Sequence, residues 1–381
     1  MDFNWTEEQQ AFRQKLHDFL AKTLPDDWEE FSKHGPASPA LTEFARGFCR
    51  QLAENGMLFP HWPREIGGEG LGPWEQQILA EVMWEWGEPR GGQYMNVNWI
   101  GPTLVKYGTE AQKAKYLPQI SSGDMLWCQG FSEPDSGSDL ASLRTRATLD
   151  GDVYRVTGQK IWTSYAGLAD TCFLLTRTSD DRKKGITILL VPMDTPGIVV
   201  RQIPSLIGEG DIHEVFFDDV VVPVANRFGE EGQAWEIIGF SLKNERLGIP
   251  RYHLARSALD RAVGILKEAG DFARETVRIE AGKCAALCEA ARTANYAIVQ
   301  RRVDGLDVGG ESSSARYATV MAERAVGEFI VEYVPEALTE GHPYLKMHHQ
   351  RGIVAGIAAG AAEIQLNIFA SDVLQLPREP R

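Results

Sequence analysis

The spacing of apolar residues changes in the middle of this 381-residue chain, and this change limits the folds that it can adopt. Before residue 122, apolar side chains recur at helical spacing, as Phe12, Leu16 and Leu20 do. After Gly123 the pattern changes to short runs of β-branched and aromatic residues separated by prolines and glycines, which is typical of strands. From Gln233 onward long helical patterns return. The order predicts a β unit placed between two helical regions.

We therefore expect an α+β fold, because strands and helices are segregated along the chain. The predicted domains are an N-terminal α-helical domain (1–122), a middle barrel-like antiparallel β domain (123–233) and a C-terminal four-helix-bundle domain (234–381). The predicted strands lie within residues 147–163, 172–175, 186–191, 198–200 and 215–222.

The composition excludes some classes of ligand. The formal net charge of −14 argues against a nucleic-acid-binding protein, because such proteins need a cationic face. A small anionic ligand remains compatible, since a local basic patch suffices for it. The five cysteines do not have the spacing of a disulfide framework. Cys284 and Cys288 are four residues apart in a helical stretch without a CxxC pair, so we expect these two to be reduced, buried thiols.

Neither export nor membrane insertion is expected. Residues 1–10 contain no apolar signal segment and no arginine-rich transit pattern. The longest apolar run rich in glycine and alanine, residues 352–362, is too short to cross a bilayer. We therefore predict a cytoplasmic protein with no membrane partner.

An acidic residue interrupts the apolar face of the helix predicted after the β unit. Burial among apolar groups disfavours the charged form of a carboxyl and makes the carboxylate a stronger base, as proton abstraction beside a carbonyl requires. The alternative is a structural carboxylate paired with a lysine or arginine, and periodicity alone favours that alternative. The residues that share this face at steps of three and four are Trp235, Ile238, Leu242, Glu245 and Ile249.

Two further segments have the composition of a ligand site. Residues 131–139 combine a proline and a glycine with small hydroxylic and acidic residues, so this turn can present hydroxyls and backbone N–H groups to a polar ring edge or a phosphate. Residues 158–164 place Trp162 beside Thr163 and Ser164, an arrangement suited to stacking on an aromatic cofactor. Taken singly, an ordinary loop and a core tryptophan are the commoner interpretations.

Taken together and in this order, the segments resemble the two signature sequences of the acyl-CoA dehydrogenase family. The matching motifs are Ser132-Glu133-Pro134 with Gly137-Ser138-Asp139, and Gly158-x-Lys160-x-Trp162-x-Ser164. The resemblance extends over nearly the whole chain. The other similar segments are residues 5–9, 106–118, 216–223 with Gly229 and Gly232, 363–365 and 374–378.

This resemblance implies an FAD site, and the loop 131–139 would form its polar side. Ser132 would donate a hydrogen bond to the pyrimidine edge of the flavin, and Phe131 would contribute a backbone contact. Gly137 would belong to the same cofactor-binding loop. Ser138 would lie near the cofactor or near the pyrophosphate of CoA.

The second segment would lie against the flavin ring itself. By the same resemblance, Trp162 would flank the isoalloxazine ring and Thr163 would contribute a backbone contact. Ser164 would lie near flavin N5, which accepts the hydride. The implied reaction is the desaturation of an acyl-CoA thioester between its α and β carbons.

The family resemblance also implies a position for the catalytic base. Many members carry it in a Tyr-Glu-Gly-Thr stretch near the C-terminus, but residues 358–361 of this chain lack that carboxylate. Isovaleryl-CoA and long-chain members carry it in a Glu-Arg pair on the first helix after the β domain, which Glu245-Arg246 resembles. Glu245 would then remove the pro-R α-proton, and Arg246 would orient the helix or help bind CoA. The backbone N–H near Ala359 and a ribityl hydroxyl of the cofactor would polarise the thioester oxygen.

A second departure from the family concerns the oligomer. Typical members bind the neighbouring subunit's FAD through Arg-x-x-Phe-Gly and Gln-x-x-Gly-Gly motifs, which have no counterpart in this sequence. Bacterial steroid-degrading members form α2β2 heterotetramers in which one subunit type contributes the base, and this chain resembles that type. We therefore expect a paralogous dehydrogenase subunit as partner, with a homo-oligomer as the alternative. An electron-transfer flavoprotein is the expected electron acceptor.

The same relatives suggest a bulky, steroid-type acyl-CoA as substrate. Small residues near the usual base position would leave room for such a group, although close helix packing explains them equally well. These residues are Gly352, Gly356, Ala359 and Gly360.

Other functions stay open at this point. One is an acyl-CoA oxidase or flavin monooxygenase on the same fold, and another is a non-catalytic subunit of a heteromeric dehydrogenase. The sequence contains no HExxH, CxxC pair, P-loop or nucleophile elbow. His348-His349 is an isolated doublet that favours a polar helix turn over a metal site, so no metal is expected.

Overall fold

The N-terminal helix begins where its sequence predicts. The computed structural model of the chain shows helix α1 at Glu7–Thr23. Thr6 and Gln9 form a capping box in which each side chain accepts a hydrogen bond from the other residue's backbone N–H. These bonds satisfy two N–H groups that a helix start otherwise leaves free. Leu16 and Leu20, one turn apart, are fully buried and confirm the predicted inner face.

The structure describes residues 5–31, 38–207, 212–247, 250–339, 341–358 and 360–377, and the backbone alone at 29–30 and 244–247. The further helices are α2 (Trp28–Phe31), α3 (Pro39–Glu54), α4 (Pro73–Glu85), α5 (Gln93–Met95), α6 (Gly101–Tyr107), α7 (Glu110–Ser121), α8 (Ala234–Leu247), α9 (Tyr252–Glu268), α10 (Glu275–Val303), α11 (Glu311–Tyr333), α12 (Glu336–Thr339), α13 (Pro343–Val354) and α14 (Ala362–Asp372). The strands are β1 (Trp127–Gly130), β2 (Arg146–Asp150), β3 (Val153–Ser164), β4 (Thr171–Arg177), β5 (Ile186–Pro192), β6 (Ile198–Gln202), β7 (Ile212–Pro223) and β8 (Arg227–Phe228). The predicted α+β class is confirmed.

One compact unit consists of residues 34–70 and 90–244, and an eight-stranded sheet lies within it. The strand order is β6-β7-β3-β2-β4-β5-β8, with β1 joined to β4. The long pairings, β3 with β7 and β4 with β5, are antiparallel as predicted. However, β1 runs parallel to β4, and β2 meets β4 in one parallel pair. Strand β1 has four residues, too few for a period of two to identify it, and the sequence does not predict it.

The other compact unit consists of residues 1–33, 71–89 and 245–381. Helices α9, α10 and α11 contribute to its apolar core, which includes Leu259, Cys288 and Phe329. Cys284 and Cys288 lie one turn apart on α10 as buried, free thiols, which confirms that prediction. Among the residues that the structure describes, no helix is both long enough and apolar enough to span a bilayer.

Candidate functional site

Hydrogen bonds join the loop 131–139 directly to strand β3. The backbone N–H of Ile161 donates to the Ser132 carbonyl at 2.9 Å. One residue earlier, the Lys160 ammonium donates to the Phe131 carbonyl at 3.1 Å. The fold therefore brings together the two segments that the sequence identifies as ligand-binding candidates.

A tight turn leaves the far part of this loop open to solvent. Glu133 and Ser136 exchange two backbone hydrogen bonds of 2.9 and 3.0 Å, and Ser136 Oγ donates to the Asp139 carbonyl at 2.9 Å. Gly137 and Ser138 lie beyond the turn and are exposed. The Ser138 hydroxyl is therefore accessible to a ligand.

A β-bulge shapes the part of β3 that carries Trp162. Lys160 pairs with Val215 and Thr163 with His213, so two residues of β3 lie opposite one residue of β7. Trp162 adopts left-handed backbone geometry, with φ of 60°, and its side chain is 57% exposed. A large aromatic side chain presented from a strained position indicates a binding surface rather than core packing.

The two hydroxylic residues after Trp162 differ in their environment. Ser164 is partly exposed, whereas Thr163 is buried. Within the part of the chain that the structure describes, Thr163 Oγ1 has no hydrogen-bond partner. An unsatisfied buried hydroxyl costs on the order of 1–3 kcal/mol, so a partner from a bound ligand is expected here.

His213 lies beside the same residue. Its Nδ1 lies 3.3 Å from the Thr163 carbonyl oxygen, across the β3–β7 pairing. Burial lowers the pKa of this imidazole, and the contact with the carbonyl only partly opposes that effect. The neutral ring can donate from Nδ1 and hold the backbone between Trp162 and Ser164.

A buried ion pair joins Lys160 of β3 to Glu133 of the loop, although the sequence alone predicts no role for either residue. Lys160 Nζ lies 2.8 Å from Glu133 Oε1; Lys160 is fully buried and Glu133 is 8% exposed. Glu133 also accepts hydrogen bonds from the backbone N–H groups of Arg144 at 2.6 Å and Thr145 at 2.8 Å. Three donors are thus directed at the carboxylate, the Lys160 ammonium from β3 and two backbone N–H groups from the segment just before β2.

Burial and charge have opposite effects on the pKa values of both partners. Burial lowers the pKa of the Lys160 ammonium, and the Glu133 carboxylate only partly restores it. Burial raises the pKa of the Glu133 carboxyl, but Lys160 and the donors from Thr145 and Arg144 outweigh it and hold that pKa below its usual range. The sequence contains a signal for this burial. Lys160 is six residues from the buried Tyr154, so their side chains are expected on the same face of β3.

The predicted base lies near the end of helix α8. The structure describes only the helical backbone of Glu245 and Arg246. Trp235 and Leu242, placed by the sequence on the apolar face, are half-buried. The fully buried face is displaced from that prediction and consists of Ala234, Ile237, Ile238 and Ser241, a spacing that position 245 continues.

Two of the predicted positions lie outside the described residues. These are Ile249, on the predicted apolar face, and Ala359, the predicted donor to the thioester oxygen. Their roles stay predictions.

Comparison with known proteins decides the family. Sequence models of the N-terminal, middle and C-terminal domains of acyl-CoA dehydrogenases match residues 6–124, 128–220 and 232–374. The acyl-CoA dehydrogenase IpdE1 of Mycolicibacterium smegmatis is 32% identical over 98% of this chain and 99% of its own length. The chain belongs to the acyl-CoA dehydrogenase family. It is thus an oxidoreductase of the acyl-CoA dehydrogenase type.

Similar proteins match along their full length. Acyl-CoA dehydrogenase FadE26 of Mycobacterium tuberculosis is 29% identical over the whole of both chains. A solved structure described as the Tcur3481-Tcur3483 steroid ACAD superposes with a TM-score of 0.91 at 29% identity, with both chains fully covered. The ChsE4-ChsE5 complex from Mycobacterium tuberculosis gives a TM-score of 0.89 at 28% identity, again over both full chains.

The described residues fit the flavin that dehydrogenases of this family carry. A planar conjugated ring needs an apolar face to stack on, and Trp162 presents one. The polar edge of such a ring needs hydrogen-bond partners, and the buried Thr163 hydroxyl lacks one among the described residues. The hydroxyls of Ser132 and Ser164 lie on the two joined segments and are partly exposed. The donor set therefore matches a flavin better than a metal ion.

Proposed function

We propose that the chain is an FAD-dependent acyl-CoA dehydrogenase whose catalytic base is Glu245. FAD, when bound, supplies the acceptor for the β-hydride of the acyl group. Glu245 removes the α-proton of the thioester, and the backbone N–H near Ala359 donates to the thioester oxygen as negative charge develops there. Trp162 and the loop 131–139 hold the ring and exclude water from one face of it.

The observation that carries this proposal is the junction between the two signature segments. Exposed Trp162, partly exposed Ser164 and the loop at Ser132 belong to one hydrogen-bonded arrangement. A subunit without catalytic function has no need to keep a strained, exposed tryptophan beside an unsatisfied buried hydroxyl. This argument supports the catalytic alternative over the non-catalytic one.

The role of Glu245 is supported by its place on helix α8 and by the family resemblance. General acid–base catalysis contributes about 10²–10⁴-fold in rate, so Glu245→Gln is expected to lower kcat by at least that range while FAD stays bound. Glu236→Gln is the matched control, because Glu236 is an exposed carboxylate on the same helix. Equal activity of both variants would favour a non-catalytic subunit. Rapid reoxidation of the substrate-reduced flavin by air would instead favour an oxidase or monooxygenase.

A bulky acyl group is our proposal for the substrate, and its support comes from the similar proteins. The Tcur3481-Tcur3483 structure is described as a steroid ACAD. The small residues near the C-terminus add nothing, since close packing accounts for them: a Cβ at Gly352 would lie 3.1 Å from the Glu323 carbonyl oxygen, and one at Gly356 only 2.9 Å from Val320. The test compares kcat/KM for a CoA thioester of a steroid side chain with that for butyryl-CoA; a preference for butyryl-CoA would contradict the proposal.

A paralogous subunit is the proposed partner, and an electron-transfer flavoprotein the proposed electron acceptor. The sequence lacks the two C-terminal motifs that hold a neighbour's FAD, and two of the similar structures are named as pairs of chains. Co-expression with candidate homologues, followed by mass measurement of the native assembly, tests the partner. A fully flavinated homo-oligomer of this chain alone would contradict it.

A further inference from the structure

Three connections between the signature segments pass through two neighbouring residues of β3. Lys160 reaches the Phe131 carbonyl at 3.1 Å and the Glu133 carboxylate at 2.8 Å, while the N–H of Ile161 reaches the Ser132 carbonyl at 2.9 Å. Two of the three connections are therefore made by one side chain. Its ammonium is the only charged group in this set that belongs to β3.

The pair is an expensive way to obtain stability alone. Lys160 is fully buried, and burial of a charge costs several kcal/mol that attraction to Glu133 only roughly repays. An apolar pair of similar volume would serve packing as well or better. We therefore interpret this buried ion pair as a contact that specifies one conformation of the two segments.

The geometry shows which arrangement is fixed. The bulge begins at Lys160 and ends at Thr163, so the backbone geometry of Trp162 depends on where Lys160 is held. Glu133, the partner of Lys160, immediately follows Ser132 and also accepts the N–H groups of residues 144 and 145. The ion pair thus fixes the separation between the exposed tryptophan and the serine loop.

We propose that Lys160, with Glu133 as its counter-ion, is a positioning residue that sets the spacing and electrostatics of the flavin site. This inference rests on the proposed FAD function. Lys160 lies behind the segments that would contact the ring, and its ammonium is held by the carbonyl of Phe131. Its loss would release the Phe131 carbonyl and leave Glu133 as an uncompensated buried charge.

The test uses Lys160→Met, which keeps the side-chain length and removes the charge and the donor. Its matched control is Arg155→Met on the same strand, since Arg155 is an exposed cation paired with Asp150 at 2.9 Å and Asp219 at 2.7 Å. Both are made in whichever preparation binds FAD, alone or with its partner subunit. The measurements are the FAD dissociation constant, the visible absorption band at saturating FAD, and the thermal midpoint.

For Lys160→Met we expect FAD to bind about tenfold more weakly or worse, equivalent to about 1.4 kcal/mol, and the absorption band to shift even at saturation. Arg155→Met should leave both within error. A purely structural pair would lower the thermal midpoint of Lys160→Met but leave the band of the bound flavin unchanged, and that result would overturn the inference.

A second variant covers the case in which Lys160→Met does not fold. Glu133→Gln keeps the side-chain size but removes the counter-ion and one of the acceptors for the N–H groups of Arg144 and Thr145. We expect weaker FAD binding and a shifted band here too, and an unchanged flavin would overturn the inference. If the wild-type protein binds FAD and the variants bind it equally well with an unchanged band, only the positioning role is refuted. Wild-type protein that binds no FAD in any preparation refutes the proposed function and the inference together.

Discussion

Two carboxylates on helix α4 contact the same arginine, and we predict that they differ sharply in their effect on stability. Glu81 Oε2 lies 3.6 Å from Arg13 and Glu85 Oε2 lies 3.1 Å from it. Glu81 is fully buried, whereas the Glu85 side chain is 36% exposed. The shorter ion pair is therefore the more exposed one, which separates the effect of distance from that of burial.

Glu81 is also the centre of a buried polar network. It accepts hydrogen bonds from the Tyr252 hydroxyl at 2.6 Å, the Tyr296 hydroxyl at 3.2 Å and the Gln77 amide at 3.2 Å, and His253 Nε2 lies 3.3 Å away. Burial raises the pKa of Glu81, but His253 and the hydrogen bonds from Tyr252 and Gln77 outweigh it and hold that pKa below its usual value. The charged carboxylate is thus the form that the folded unit stabilises.

Removing one partner of a buried ion pair lowers the free energy of unfolding by about 3–5 kcal/mol. Because Glu81→Gln keeps one side-chain oxygen as an acceptor, we expect a loss at the lower end, about 3 kcal/mol. Glu85→Gln should cost less than about 1 kcal/mol, as exposed pairs do. For a unit of this size the first loss lowers the thermal midpoint by roughly 6–12 °C. The pKa of Glu81 is lower in the folded than in the unfolded protein, where it is near 4.5. The stability that the Glu81 carboxylate contributes is therefore fully present above pH 4.5 and is lost as the pH falls through the pKa of the folded protein.

The assay is differential scanning calorimetry of wild-type protein, Glu81→Gln and Glu85→Gln at pH 7.5 and at pH 4. At pH 7.5 the two variants should differ strongly, and the gap between wild type and Glu81→Gln should narrow at pH 4. Equal losses for the two variants would show that burial does not set the contribution of Glu81, and a gap that widens on acidification would show that its charged form is not the stabilised one.

Three further outcomes follow from the structure. Burial lowers the pKa of His348 to about 4, so the stability of the wild-type protein relative to His348→Gln should fall by roughly 3 kcal/mol as the pH drops from 6.5 towards 4. The same pH dependence in both proteins would contradict this expectation. Burial raises the pKa of Cys284 to about 11 and that of Cys288 to about 12, so neither thiol should react with iodoacetamide at pH 8 in the native protein; mass spectrometry of the modified peptides checks this. Gly47 lies inside α3 with no atom within 4 Å of an added Cβ, so Gly47→Ala should raise stability by about 0.5–1 kcal/mol, and a lower thermal midpoint would show that the space is not free.

The sequence predicted most of the elements because their signals are local. The run 186–191 became β5 (Ile186–Pro192), and 215–222 became β7 (Ile212–Pro223), since alternating or continuous apolar runs bounded by turn residues identify strands. Strand β1 was not predicted, because its four residues pair in parallel with β4, which is distant in the sequence, and no local pattern encodes such a contact.

The candidate site was predictable in its parts but not in its connections. The motifs drew attention to Ser132, Trp162 and Ser164, and the structure joins their segments. The ion pair of Lys160 with Glu133 depends on two residues 27 positions apart meeting inside the sheet, which spacing along the chain does not reveal. The bulge at Trp162 likewise depends on the register between β3 and β7.

The visible spectrum of the purified chain shows whether it is a flavin-dependent dehydrogenase. It is recorded for the chain alone and co-expressed with candidate homologues, before and after anaerobic addition of an acyl-CoA. We expect bound FAD in at least one preparation and bleaching of its absorption band by the substrate. The Glu245→Gln protein should keep the band but should not be bleached. Absence of flavin from every preparation, or bleaching of the Glu245→Gln protein at the wild-type rate, would contradict the proposed function.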